Sequence, residues 1–389
     1  METPVNALEN DQPESTTWFS YAEAESVWRS LESQGAVSHA FHRFTWLQQW
    51  QKTIGLARGF NPILVHVRHS GENATEALLP LSLGVHSGLR RLTWAGEGVS
   101  DYQGPLIAPE GAFTPEELMQ IIKRIARENS CDFVDLDRMP ITLDHPAWPG
   151  AKLLHYHAHS MQIPLNPDDY LDAKLTSKER YNLRRSEKHM AEQGALALVV
   201  AEGADQKALF TEIMIDFKHA RYRDTDAADP LSDPAVAQFY RAAAVDPECC
   251  VHASLLRAGD ETVAVHWGVL NNDTLYYLMP AFAPKRFDRL SPGTIFFIRF
   301  LRLCSATGIR ILDFTIGDEA YKQKWEDRET DLCRLVLGIS LKGKAAALFS
   351  DVVSYLRTNQ RLRNAVNAVR MWMRRLVRGK IQIKQEPRP

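Results

Sequence analysis

At 389 residues the chain exceeds one ordinary core and suits two domains of roughly 150 to 180 residues each. Hydrophobic residues make up 45% and charged residues 24%, the balance of a soluble globular protein and not of a disordered one. The formal charge of −2 hides an asymmetry: from Lys342 onward there are twelve Lys/Arg against two Asp/Glu, so the remainder carries −12, and an acidic body without a known motif excludes nucleic acid as a partner.

The opening "METPVNALENDQPESTTW" is acidic and polar where a signal peptide needs a basic start and an apolar run, and residues 1–17 read as a disordered lead. No stretch offers eighteen uninterrupted apolar residues, so no membrane-spanning helix is expected. The five cysteines lack zinc or redox spacing, and a cytoplasmic protein with free thiols is the simple reading.

After the lead, "YAEAESVWRSLESQ" and "HRFTWLQQWQKTI" show helical spacing. "PILVHVRH", "TEALLPLSLGVH" and "LRRLTWAG" are short and β-rich with breakers between them, a meander of strands. Thr114 caps the helix "PEELMQIIKRIARE", with Pro115 first and Glu117 closing a capping box, and "CDFVDLDRMP" is a strand. The second half repeats the order: Thr176 and Glu179 box a helix that Gly194 stops, "ALALVVAE" is a strand, and two helices follow. Three strands then run through "CCVHASLLRAGDETVAVHWGVLNNDTLYYLMPAF", followed by the helix "SPGTIFFIRFLRLCSATG" and the strand "IRILDFTIG". The repeat predicts a duplicated α/β (α+β) fold, each half a mostly antiparallel sheet flanked by helices. The predicted bounds are 18–165 and 166–341, with a basic tail over 342–389.

"RLSPGT", residues 289–294, lies between a strand and an apolar helix. Its free amides and Gly293 suit a pyrophosphate, with Arg289, Ser291 and Thr294 beside it, although an ordinary loop-to-helix cap would look the same. If "LYYLMPAF" and "ILDFTI" are parallel neighbours joined by that helix, they form a right-handed crossover. Parallel strands that splay leave a slot for a phosphorylated carrier arm, and "GDEAYKQKW" emerges at its mouth.

The run from Pro280 to Trp325, with "SPGTIFF", "DFTIGDEAYKQKW" and the earlier "VAVHWG", resembles the CelD-like acetyltransferases of the GNAT superfamily. These are linked to bacterial cellulose and other exopolysaccharide production. "WLQQW", "LPLSLG", "SDYQGPLI" and "SKERYNLRRSEKH" extend the resemblance over about residues 20 to 340. It implies tandem GNAT-like domains, distantly similar to the Fem-type peptidyltransferases. It also implies transfer of an acyl group, usually from acyl-CoA as co-substrate with no permanent cofactor, to an amine or hydroxyl.

Lys322 matches the lysine that Fem-type enzymes place near the transferred carbonyl, where an ammonium stabilises the oxyanion of the tetrahedral intermediate. His266 on a central strand can accept the amine proton or be a half-buried structural histidine; Asp318 can hold that imidazole or the acceptor ammonium; Tyr321 can protonate the leaving thiolate. Asp313 reads as a buried cap of its strand end, and Trp325 as packing or substrate contact. Asp101 and Tyr102 in "SDYQGPLI" face the cleft if the halves stack, as acceptor contacts or a turn cap. Lys178, Arg180, Arg184, Arg185 and Lys188 make one helix strongly basic, suited to phosphates or simply solvated. "HYHAHS" aligns His155, His157 and His159 on one strand face, but with no second cluster of ligands zinc is rejected.

These readings give an acyl-CoA-dependent N-acyltransferase whose acceptor is an amine-bearing amino sugar or envelope glycan precursor. The alternatives are transfer to a long-chain amino base (a lipid acceptor) or a non-catalytic scaffold of an envelope assembly complex. From Ala345 to Arg378 apolar residues recur at helical spacing beside seven arginines, predicting an amphipathic helix on an anionic membrane surface; the same stripe could pack on the acidic body.

Overall fold

The computed structural model describes residues 13–69, 75–109, 113–142, 146–225, 227–285 and 287–358. Two mixed sheets, each flanked by helices, organise the chain. In spatial order the first contains Glu14–Trp18, Asn61–His69, Thr75–His86, Leu89–Trp94, Phe133–Pro140, Leu332–Gly338 and Lys152–Leu153, with Leu106–Ile107 paired to Thr75–His86. The second contains Arg328–Thr330, Ala158–Gln162, Ile311–Ile316, Thr274–Tyr276, Glu261–Asn271, Val251–Ala258 and Leu196–Val200, with Ala281–Phe282 paired to Glu261–Asn271.

The repeat expected from the order of elements is visible in the pairing. Among the described residues each sheet has one parallel pair, Leu89–Trp94 with Phe133–Pro140 and Thr274–Tyr276 with Ile311–Ile316, each bridged by a crossover that includes a helix, Pro115–Glu128 or Pro292–Ala306. In both sheets the slot beyond the parallel pair is filled by a strand from the other side of the chain. Leu332–Gly338 lies against Phe133–Pro140, and Ala158–Gln162 against Ile311–Ile316.

Both predicted capping boxes are present, Thr114 with Glu117 and Thr176 with Glu179. The lead is ordered sooner than its polar composition suggests: Glu14–Trp18 is a strand, held to Asn61–His69 by an antiparallel ladder that an alternating polar segment can join at a sheet edge. Residues 1–12 lie outside the described residues. An aromatic core joins the halves. Trp46 of the helix Phe44–Trp50 meets Phe239 at 4.8 Å and Trp267 at 6.4 Å between ring centres, and Phe41 meets Tyr276 at 5.4 Å. Among the described residues no helix is long and apolar enough to cross a membrane. The helix Leu341–Thr358 begins the predicted tail, whose remainder from 359 lies outside the described residues.

Candidate active site

The two parallel strands separate where the sequence suggested. The Tyr277 amide still donates to the Asp313 carbonyl at 2.7 Å, but the Met279 amide has turned to Trp267, at 2.9 Å. On the other strand, Thr315 takes φ +59°, a left-handed conformation costly for a β-branched residue, at an irregularity in the pairing with Ala158–Gln162. That twist points the Thr315 amide at Asp313 Oδ1, 2.7 Å away, and its side chain to Asp101. A cavity of about 660 Å³ fills the gap. It is lined by Gly293, Thr294 and Phe297 of the helix Pro292–Ala306 and by Asp101, Lys218 and Tyr240.

Lys322 sits at the boundary, 4% exposed, in the short helix Ala320–Trp325. Its Nζ donates to the Ile316 carbonyl at 2.5 Å and pairs with Glu319 at 2.9 Å. An ammonium has three hydrogens, so one remains for the cavity that Lys322 lines. Gly317, at φ +112°, makes this possible, because a Cβ there would meet Glu319 Oε2 at 2.7 Å. Tyr321 and Trp325 also line the cavity. Burial, then the Glu319 carboxylate, push the Tyr321 hydroxyl's ionisation far up, so it stays a proton donor. Trp325 does pack, against Phe297 at 4.8 Å, and the two rings together form an apolar wall. Burial pushes the Asp101 carboxyl up, against the pull of Arg138, 3.4 Å away, and of Thr315 and Lys322.

Other predicted residues go elsewhere. His266 is fully buried and faces the helix Pro292–Ala306, stacked on Tyr277 at 4.3 Å and against Phe300 at 4.7 Å. Its neighbours Val265 and Trp267 take the opposite sheet face, as strand alternation requires, and it does not line the cavity. Burial, reinforced by His252, holds its imidazole well below the usual range, and neither ring nitrogen has a partner among the described residues. Asp318 does hold an imidazole, but that of His159 at 3.1 Å, and it also accepts from the His157 amide. Burial would raise Asp318; these bonds outweigh it and hold the carboxyl low.

Tyr102 turns away from its neighbour Asp101 and donates to Asp313 at 2.7 Å. Asp313, pushed up to about 6 by burial, caps its own strand as expected and borders a second cavity of about 290 Å³. Arg180 is spent on the Asp172 and Leu175 carbonyls, while Arg184 is exposed and outside both cavities. Arg289 lines an open surface pocket with His189 and Lys285, beside the start of the helix Pro292–Ala306. Ser291, at φ +52°, gives that helix no side-chain cap. Gly293 has a structural reason that its sequence context hides: a Cβ there would strike the Phe282 ring at 2.7 Å.

Sequence reasoning missed Lys218. It continues the buried positions Phe210 and Met214 of the helix Gly203–Thr225 at intervals of four, and a lysine on an inward stripe was the available signal. Burial first, then the neighbouring Arg221, push its ammonium down to about 8.

Residues 177–323 match the family described as acetyltransferase (GNAT) domain. They contain Lys218, Gly293, Tyr321 and Lys322, and the chain thus carries a GNAT-type acyltransferase domain. No curated protein matches the sequence. Among solved structures, FemX is similar at 12% identity, with 82% of this chain and 96% of FemX covered and a TM-score of 0.50. The C-terminal domain of a putative lysylphosphatidylglycerol synthetase from Agrobacterium fabrum is similar at 13% identity, with 86% and 97% covered and a TM-score of 0.50. At such identities the likeness shows the fold alone.

Proposed function

We propose that the chain transfers an acyl group from acyl-CoA to the amine of an amino sugar or related envelope glycan precursor. The observation that carries this is a single cavity crossing the gap between the splayed strands, with Lys322 at its boundary. The donor enters along Gly293 and Thr294, its phosphates toward the uncapped helix start, Lys285 and Arg289, and its acyl chain against Phe297 and Trp325. The acceptor enters beside Asp101, which holds its ammonium, and Lys218, once neutral, takes the proton. The freed amine forms a bond to the thioester carbon, the free Lys322 hydrogen meets the resulting oxyanion, and the carbon–sulfur bond breaks as Tyr321 protonates the thiolate and recovers a proton from the nitrogen, leaving a neutral amide and a thiol.

Acyl-CoA titrated into the protein in a calorimeter tests the donor; absence of binding would leave a non-catalytic scaffold. Mass spectrometry of glycans and lipids from a deletion strain tests the acceptor, and loss of an amide lipid with intact glycans would move it to a long-chain amino base. The pH profile tests Lys218. The ammonium prevails below pH about 8 and the amine above it, so kcat/KM should rise with pH through about 8. Lys218→Met should flatten that limb, and an unchanged profile would remove Lys218 from the proton path.

The protein also docks on an anionic membrane in this reading. Leu341, Leu348 and Phe349 are 85%, 67% and 69% exposed on the helix Leu341–Thr358, which leads into the arginine-rich segment. Its first turn is part of the body, since a Cβ at Gly343 would overlap the Asp132 carbonyl, so the informative truncation follows Thr358 and not Lys342. Truncated protein should no longer sediment with phosphatidylserine vesicles that capture the full chain at low salt; equal capture would place the contact elsewhere.

A further inference from the structure

Zinc was set aside for "HYHAHS" because no second group of ligands stood near it in the sequence. The fold supplies one from residues 318–331. His159 is buried in the strand Ala158–Gln162, and Glu329 lies directly opposite it in the antiparallel strand Arg328–Thr330, so both side chains stand on one face. Glu326, just past the helix Ala320–Trp325, contacts His159 Nδ1. His159, Glu326 and Glu329 each present a ligand atom, all within 4.8 Å of one another. Ligands about 2.1 Å from one ion lie within about 4 Å of each other, so a turn of the half-exposed Glu329 side chain closes the set.

Two further features point to a cation. The other ring nitrogen of His159, Nε2, is 3.1 Å from Asp318 Oδ1, and a carboxylate on the far nitrogen is what orients a metal-bound imidazole. In the tautomer whose Nε2–H donates to Asp318, Nδ1 turns a lone pair toward Glu326, a contact that is attractive only with a positive charge between them. A proton on Nδ1 would serve Glu326 alone and leave Glu329, of the same group, uncompensated. His157 Nε2 lies 3.9 Å from Glu329 and 3.6 Å from Asp331, and none of Asp318, Glu326, Glu329 and Asp331 is paired with a Lys or Arg among the described residues.

We propose that His159, Glu326 and Glu329 bind a divalent cation of the zinc type, with Asp318 as the outer carboxylate that fixes the ring. One imidazole and two carboxylates suit such an ion better than a thiolate-preferring one. Bound there, it would tie the strand Ala158–Gln162 to both flanks of the helix that carries Lys322, because Asp318 precedes that helix and Glu326 follows it.

The test uses the full chain, stripped with a chelator and titrated with zinc chloride by calorimetry near neutral pH. One ion per chain is expected, with a rise of several degrees in melting temperature. Glu329→Gln, at an exposed position, should weaken binding at least tenfold while the unliganded melting temperature stays within a degree or so. Glu326→Gln should weaken it as much. Absence of binding to the wild type would overturn the site, and so would affinity undiminished in both variants. Neither readout depends on acyl transfer, so this proposal and the catalytic reading fail separately.

Discussion

Lys322→Ala should lower turnover by about 100-fold or more while the dissociation constant for acyl-CoA stays within a few-fold. The ammonium borders the cavity with two of its hydrogens engaged by Ile316 and Glu319, so on the proposed mechanism what the variant loses is charge at the reacting carbonyl. Removing it also leaves the Ile316 carbonyl short of a donor, at a stability cost of about 1 to 3 kcal/mol. Lys322→Met, which keeps the stem but not the donor, restores the packing alone, and turnover should stay as low as in the alanine variant. A variant that loses acyl-CoA binding but keeps turnover at saturation would remove Lys322 from the chemistry.

The largest effect on stability is expected at Trp46. Its ring is 1% exposed, its Nε1 donates to Ser100 at 3.0 Å, and it touches Phe239 and Trp267 of the second half. Trp46→Ala removes that volume and leaves the Ser100 hydroxyl without its donor, which should cost about 3 to 5 kcal/mol. Guanidinium unfolding followed by far-ultraviolet circular dichroism measures it. The wild type should unfold in one transition and the variant at a clearly lower midpoint. A loss below about 1 kcal/mol would mean that other contacts hold the halves together.

Much of this was legible where the signal is local. The boxes of Thr114 with Glu117 and Thr176 with Glu179 are four-residue patterns, and each forms the cap its spacing dictates. The parallel pair followed from strand, helix, strand order, and its mouth from the glycine and polar run after Ile316. His266 illustrates what is not local. "VAVHWG" is apolar on both faces, so nothing in it says which parity meets the cleft, and the histidine proved to belong to the helix side. Asp318 reads in the sequence as a partner for the His266 imidazole or an acceptor ammonium, whereas the imidazole it meets is that of His159, from 159 residues earlier. Gly293 shows a third limit, since a glycine beside a ligand and a glycine beside a phenylalanine ring read alike until Phe282 is in place.

The exchange of strands between the sheets bears on how the chain is made. Translation delivers Phe133–Pro140 long before Leu332–Gly338, so its edge stays unpaired while the second half is still emerging. An unpaired strand edge is a template for other chains. A fragment ending at residue 165 would keep that edge permanently and should self-associate when expressed alone. A fragment beginning at 166 would lack Ala158–Gln162, and with it the outer neighbour of Ile311–Ile316. The two halves repeat one plan, yet the ribosome must release almost the whole of the second before the first can be finished.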